Sequence, residues 1–380
     1  MEGRSPHLLH VFSNFTPTGP ELRTVRLIGA FGGAYRHSIV SMDGRAGAAE
    51  LLPPGADVRL LPQPSKAGSF ATAVRLRRLL RAERPDLVLT YNWGAFDMLL
   101  AARSAGFRRV IHHEEGFNED EAAAFKRRRV LARRLVLPGA HRVVVPSLRL
   151  QSIAITLWSL PPEKVLLIPN GISLDHFTLR DGNPELRRRL GIPAQAVVVG
   201  AVGSLRPVKN HARLLEACAA AGPGIHLLLV GDGPERPALE ARAARPDLAG
   251  RVHLAGHQAD PAPFLRVMDL FALSSDTEQM PVSLLEAMAS SLPAVATDVG
   301  DVRPILPPEQ ADYLVPLAPA DDEAPAALAR GIAKLAADPA ARDRLGAANR
   351  RRVEERFTFE KMCAAYREIY ESALGSWRVP

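Results

Sequence analysis

Cysteine is scarce in this chain: Cys218 and Cys363 are the only two among 380 residues. Two thiols exclude a disulfide framework and a cysteine-based zinc module. Long apolar runs are missing too, and no stretch approaches the eighteen or so residues of a membrane span. Met1 to Pro17 shows no apolar core of a secretory signal. The expectation is a reduced, cytosolic protein. Aromatic residues make up only 6% of the chain. They do not interleave with the basic runs, so the stacking platform of a single-strand nucleic-acid binder is missing. Lysine is rare as well, at six of the 48 basic residues. The formal charge of +7 therefore reflects an arginine-, alanine- and proline-biased composition more than a nucleic-acid partner.

What is present is ordinary soluble chain, 47% apolar and 23% charged, which excludes a mainly disordered protein. Its length exceeds what one compact core usually holds, so two domains are expected. Charge divides unevenly. Residues 1–170 carry 24 basic and 14 acidic side chains, and residues 171–380 carry 24 and 27. The basic half is expected to face something anionic. Its densest stretch is Lys126-Arg127-Arg128-Arg129 with Arg133-Arg134. Two readings stay open: a solvated helix face, or contact with anionic lipid head groups or a phosphorylated acceptor.

Short apolar runs recur, each followed by a turn and a helix-like segment. They include Leu8–Phe12, Ile39–Ser41, Leu87–Leu89, Val110–Ile111, Val143–Val145 and Val165–Ile168. The series restarts at Val197–Val199 and continues through Leu227–Val230, Val252–Leu254, Leu270–Leu273 and Pro293–Ala296. Continuous apolar runs suit strands buried on both faces. Helix patterns such as Phe70–Arg81, His211–Ala220 and Val282–Ser290 lie between them. Strand–helix alternation predicts parallel α/β sheets. Pro169-Asn170-Gly171 and Asp181-Gly182-Asn183-Pro184 are turn clusters that mark a hinge near 169–194. The expected domains are 1–175 and 176–358, two Rossmann-like parallel sheets facing a central cleft. A last helix in 359–380 is free to pack back on the first. A single eight-stranded barrel is the structural rival.

Several motifs are missing. No phosphate loop of the GxxxxGK[ST] type occurs, nor a GxSxG elbow or HExxH. Gly231-Asp232-Gly233 follows a strand, but Arg236 replaces the third glycine of a dinucleotide fingerprint. His112-His113-Glu114-Glu115 has metal-capable chemistry, yet neighbours on a strand point to opposite faces, so no metal site is expected. The acid run Glu119-Asp120-Glu121 reads as a solvated loop or helix start.

Two segments carry chemistry. Gly203-Ser204-Leu205-Arg206-Pro207-Val208-Lys209-Asn210 lies between a strand and a helix. Two cations three residues apart at a helix start suit a diphosphate. A full charge near 4 Å is worth about 4 kcal/mol at an effective dielectric of about 20, and a helix dipole about 0.3–2 kcal/mol. Arg206 and Lys209 should therefore dominate. The second segment runs from Ser274 to Ala287, with Pro281 expected at the first helical position. Glu278 falls in the loop and Glu286 in the second helical turn, flanking an N-terminus where the amides of Val282 and Ser283 can face an anion. Surface charges and a capped surface helix are the plain alternatives.

With these residues in view, the chain resembles a family 4, GT-B-type retaining glycosyltransferase. The resemblance rests on Arg206, Lys209 and the Glu-x7-Glu element Glu278…Glu286. It extends to Ile168-Pro169-Asn170-Gly171-Ile172, Leu229–Pro234, Val252–Gly256 and Glu286–Ala289, and is densest over 140–305. It implies sugar transfer from a UDP- or GDP-linked donor to a polysaccharide or lipid-linked acceptor in surface-glycan synthesis. It implies no metal or other cofactor, and cytoplasmic work with the basic half against the inner membrane face. It makes Arg206 and Lys209 the diphosphate ligands, Glu286 the ribose ligand and Glu278 the ligand of sugar hydroxyls. The base would lie near Arg251–Leu254, with Val252 among the donor contacts. Gly19 would let backbone approach the phosphates, His112 or His113 would touch the sugar, and Asn170, Gln279 and Met280 would complete the donor site. A buried structural role is the alternative for both histidines. Two positions differ from the family pattern: Gly19 lacks its glycine partner because Pro20 follows, and Gln279 stands where glycine is usual. A nucleotide-sugar epimerase or phosphorylase on the same architecture, or a binding scaffold without turnover, are the competing functions.

Overall fold

The computed structural model describes residues 4–64, 68–117, 121, 125–178, 182–317 and 323–375, apart from the side chain of Ser69. Of the segments read above, Glu119, Asp120 and Asp181 lie outside the described residues. The chain divides into two compact units: Met1–Pro169 with Met362–Pro380, and Asn170–Lys361.

The first unit alternates strand and helix in the order β1 (His7–Phe12), α1 (Gly19–Phe31), β2 (Arg36–Ser41), β3 (Val58–Leu61), α2 (Gly68–Glu83), β4 (Leu87–Tyr91), α3 (Phe96–Ser104), β5 (Val110–His113), α4 (Arg127–Val136), β6 (Arg142–Val145), α5 (Leu148–Thr156) and β7 (Val165–Leu167). The strands form one parallel sheet in the order β3-β2-β1-β4-β5-β6-β7. Strands β1, β4 and β5 are buried along their whole length. That is why they read as unbroken apolar runs. Strand β3 escapes such a reading because it is an edge strand with Arg59 and Leu60 exposed.

The second unit comprises α6 (Pro184–Arg189), β8 (Val197–Val202), α7 (His211–Ala221), β9 (Ile225–Val230), α8 (Arg236–Ala243), β10 (Val252–Leu254), α9 (Ala262–Leu265), β11 (Leu270–Leu273), α10 (Val282–Ala289), β12 (Ala294–Thr297), α11 (Val302–Ile305), β13 (Leu314–Val315), α12 (Ala324–Ala337) and α13 (Pro339–Arg356). Its sheet order is β10-β9-β8-β11-β12-β13, again parallel. Two open sheets replace the single closed barrel that the length also allowed. In each, strand order reverses beside the unit's first strand, between β1 and β4 and between β8 and β11. Loops at the C-terminal ends of such strand pairs are where open α/β sheets bind ligands.

Residues 170–175, expected at the end of the first domain, begin the second unit. Ile172 is tied there by hydrogen bonds from its N–H to Phe357 O (2.8 Å) and from the Phe359 N–H to its own carbonyl (3.0 Å). The last helix, α14 (Phe359–Leu374), enters the first unit from Met362 onward. There Tyr370 packs edge-on against Phe31 and Tyr35, and Tyr366 stacks on His113.

Burial also settles the basic run. On α4, Arg133 is 1% exposed and pairs with Glu114 (3.1 Å) and Glu121 (3.2 Å). Its guanidinium lies 4.8 Å from the Trp158 ring centroid and 5.1 Å from that of Trp93. Arg129 pairs with Glu121 at 2.7 Å. Spaced i, i+4, these two arginines face inward. Arg127, Arg128 and Arg134 stay exposed. The run is therefore not a uniformly solvated face.

Each unit also buries a neutral histidine. Burial pushes His37 in β2 and His211 at the start of α7 down to about 4, aided by His7 beside the first and by Lys209 beside the second. Unfolded, each binds a proton near pH 6.5. Between about pH 6.5 and 4 the unfolded chain thus holds more protons, and stability falls as pH falls. Stability should drop across that window by about 1–3 kcal/mol per histidine, and the midpoint of thermal unfolding should fall with it. A flat midpoint between pH 7 and 4.5 would refute this.

Candidate active site

The candidate site of the second unit is built where β8 and β11 end. After β8 the chain turns at Gly203 and runs through a short 3-10 turn, Pro207–Lys209, into α7. Asn210 caps that helix from a left-handed backbone, its side chain accepting from the Arg213 N–H at 3.1 Å. After β11, Ser274 and Ser275 are buried, and Ser274 Oγ donates to the Lys209 carbonyl (3.0 Å). The Asp276 N–H donates to Val208 O (2.9 Å), and Arg213 reaches the Asp276 carboxylate at 2.8 Å. The two loops are thus laced together by backbone and side chain.

Their contact brings together residues far apart in sequence. Lys209 Nζ sits 2.5 Å from Glu278 Oε1, and Ser275 Oγ donates to the same oxygen at 2.7 Å. Lys209 is 20% and Glu278 11% exposed, so the ammonium–carboxylate pair is held but reachable. Arg206 is exposed, with its Nε donating to Ser204 Oγ at 3.0 Å.

Two glycines make this packing possible. Gly231, at φ +150°, leaves no room for a side chain, because a Cβ there would lie 1.8 Å from the Gly203 carbonyl oxygen. The Gly231-Asp232-Gly233 turn, which failed as a dinucleotide fingerprint, instead presses its backbone against the Arg206-bearing loop. Gly300, at φ +57°, would place a Cβ 2.1 Å from the Glu278 carbonyl oxygen. With Asp301 N–H bound to Gln279 O (3.0 Å), it fixes the Glu278–Gln279 backbone from behind.

Helix α10 begins one residue later than expected. Pro281 is its N-cap, in extended backbone, and Val282 is the first helical residue. The reason is local: a cap needs non-helical backbone, which proline's fixed φ of about −65° also permits. Ser283 and Glu286 are half-buried on this helix and Met280 is buried. The Asn170 N–H points at Met280 Sδ, 3.2 Å away, joining the start of the unit to the Gln279–Met280 turn. Val252 lies at the outer edge of the sheet, on β10 beside Leu227.

In the first unit, Gly19 opens α1 with open space around its Cβ position. Thr18 caps nothing through its side chain but donates its hydroxyl to Glu21. His112 and His113 are both fully buried. His112 Nδ1 meets Thr90 Oγ1 at 2.9 Å, and its Nε2 lies 3.6 Å from Glu114. His113 Nδ1 bonds Thr90 O at 3.2 Å while its ring stacks on Tyr91 at 4.5 Å. Burial and then Arg23 hold His113 well below the usual histidine range, so it is neutral. Burial alone would raise Glu114, but Arg133 and His112 hold it below the usual carboxylate range.

Sequence reasoning did not find Ser275, Asp276, Arg213 or Gly300. Asn210 before a helix was a readable cap signal. The others become visible only once the loops meet.

With this geometry in place, the relatives of the chain can be named. Residues 18–171 match the family model described as glycosyl transferase 4-like domain, and residues 196–338 match that of glycosyl transferases group 1. The chain belongs to the family 4 glycosyltransferases. The lipopolysaccharide core biosynthesis glycosyltransferase LpsE of Rhizobium meliloti is 32% identical over 186 residues, 49% of this chain and 53% of that one. The D-inositol 3-phosphate glycosyltransferase of Saccharomonospora viridis is 27% identical over 362 residues, 86% of this chain and 82% of that one. The chain thus spans about half the length of the first relative. The crystal structure of Anabaena HepE in complex with UDP superposes with a TM-score of 0.81 at 20% identity, covering 96% of this chain and 100% of that one. That likeness shows the fold, which is the two-domain GT-B arrangement.

Proposed function

We propose that this family 4 member is a retaining hexosyltransferase, moving a sugar from a nucleotide-diphosphate donor to a glycan or lipid-linked acceptor. The observation that carries this reading is the Lys209–Glu278 pair, set beside Arg206 where the sheet order of the second unit reverses. In this reading Arg206 and Lys209 neutralise the diphosphate as negative charge gathers on the leaving group. Those cations supply the charge that a metal supplies elsewhere, so no metal is required. Glu278 receives hydroxyls of the sugar, and Glu286 the ribose. The first amides of α10, at Val282 and Ser283, lie where an anion is favoured.

HepE holds UDP, and in another crystal UDP-glucose, which favours a uridine donor. LpsE is named for lipopolysaccharide core synthesis, which favours a lipid-linked glycan acceptor. A thermal-shift panel of UDP- and GDP-sugars tests the donor, since a ligand of the native state alone raises the melting point. A UDP-sugar should shift it and be consumed with the anomeric configuration kept in the product. No shift with any nucleotide sugar would end the proposal.

Among the described residues no helix is long and apolar enough to cross a membrane. Contact with the acceptor's membrane is proposed for the outer face of α4. There Arg127, Arg128 and Arg134 surround Leu131 (57% exposed) and Leu135 (61% exposed). Each arginine near an anionic surface adds about 1 kcal/mol. Sedimentation with vesicles rich in anionic lipid should pull down the protein, and Leu131→Ser with Leu135→Ser should weaken that at least threefold. Equal recovery with neutral vesicles would count against it.

A further inference from the structure

A basic cavity lies in the first unit, at the N-terminal ends of β1, β2 and β3. Parallel strands place those ends opposite the loops that carry Gly19 and Asn92. The cavity holds about 310 Å³. Three arginines line it: Arg4, Arg36 at the start of β2, and Arg59 in β3. Asp57 and Glu83 oppose them, and Glu83 is already engaged by Arg59. With its histidines neutral the lining carries one net positive charge.

Two histidines complete the wall. His7 Nε2 meets Ser38 Oγ at 2.8 Å. His37, only 3% exposed, meets His10 Nε2 through its Nδ1 at 3.0 Å, and its Nε2 is buried with no partner. A buried polar atom left unpaired costs about 1–3 kcal/mol. A ligand that bonds it recovers that cost.

The bonding beyond His37 says what kind of ligand fits. His10 Nδ1 meets Tyr91 OH (3.2 Å), Tyr91 OH meets Thr24 Oγ1 (3.3 Å), and Thr24 Oγ1 donates to Pro20 O (2.9 Å). Every group in this chain can be neutral in two ways. If protons run from His37 toward Pro20, His37 Nε2 is left as a bare lone pair. If Tyr91 donates to His10 and His10 to His37, then His37 Nε2 carries the proton and is left as an orphan donor. An acceptor in the cavity selects the second arrangement, and the arginines of the lining favour an anionic one. Burial, then Arg36, lowers His7, and burial, then His7, lowers His37, so both rings are neutral.

We propose that this cavity binds a small phosphate monoester, held by Arg36 and Arg59 and receiving a hydrogen bond from His37 Nε2. The volume stands at the small end of ligand sites, about 300–1,000 Å³. It suits a phosphorylated sugar or polyol rather than a nucleotide sugar. The site is separate from the Arg206–Lys209 loop and does not depend on the transfer proposed above.

Calorimetry with inorganic phosphate and with a hexose 6-phosphate tests it, using the full chain and a Lys209→Ala variant to silence the donor loop. Saturable binding of either phosphate is expected in both proteins, with none for the unphosphorylated hexose. Arg36→Gln should weaken binding at least tenfold. Arg59→Gln, at a largely exposed position that folding tolerates, should weaken it at least threefold. Long-range nitrogen NMR should show the His37 ring fixed as the Nε2–H form on adding phosphate. Failure of both phosphates to bind overturns the proposal. So does unchanged binding in both arginine variants, binding lost in Lys209→Ala, or a His37 ring that does not respond.

Discussion

Lys209→Ala should lower the turnover of sugar transfer by about a thousandfold while the melting point moves by no more than a few degrees. The rate effect follows from charge. An ammonium about 4 Å from a developing phosphate charge contributes about 4 kcal/mol at an effective dielectric of about 20. At 1.36 kcal/mol per factor of ten, that is about three powers of ten. The stability effect is small because Lys209 is still 20% exposed, and partly exposed ion pairs contribute little. Glu278 keeps its Ser275 hydrogen bond when the lysine is gone. Because Lys209 and Glu278 touch, their effects should not add: Lys209→Ala with Glu278→Gln should be hardly slower than the worse single variant. Steady-state kinetics with nucleotide-sugar titration checks both statements. Turnover within tenfold of the unaltered protein would remove Lys209 from the chemistry.

The largest stability loss is expected at Arg133→Leu. This side chain is fully enclosed, and its removal leaves Glu114 and Glu121 buried with much of their compensation gone. Breaking one partner of a buried ion pair typically costs about 3–5 kcal/mol. For a chain of this size that lowers the melting point by about 5 °C. Arg129 still reaches Glu121, so the penalty should fall mainly on Glu114. Glu114→Gln in the same protein should therefore restore part of the loss. By contrast, Arg128→Leu on the exposed face should change stability by less than about 0.5 kcal/mol. Thermal unfolding of the three variants distinguishes them, and equal effects at Arg133 and Arg128 would contradict the burial argument.

These two positions show how unevenly the sequence can be read. The strand rhythm from Leu8 to Ala296 was legible because fully buried parallel strands must be apolar throughout. That residues 206, 209 and 278 stand on loops was legible because each lies just after such a run, where a sheet presents its loops. The basic run at 126–134 was not. Its arginines look alike in sequence, and only the partners at Glu114 and Glu121 decide that Arg133 is buried while Arg128 is exposed. For the histidines at 112 and 113 the sequence left a sugar contact and a buried structural role both open. Whether they are buried depended on Thr90 and Tyr91 in the neighbouring strand, with Tyr366 of the returning last helix beside His113. Gly300 carried no signal, and Gly231 was read only as part of a motif, since what each makes room for is the backbone of another loop.

By itself, then, the sequence determined the α/β alternation and the loops that bear charge, while the choice of two open sheets over one closed barrel waited for the strand order. The alternation and the loops depend on neighbours a few residues apart, and the local pattern records them. Strand order was decided only in three dimensions, and with it the meeting of Lys209 with Glu278 across 69 positions, the fate of each arginine, and the histidine chain behind the cavity of the first unit. Such contacts depend on which strands pair and how deeply each side chain is enclosed, and burial sets the worth of a charge more than its place along the chain does.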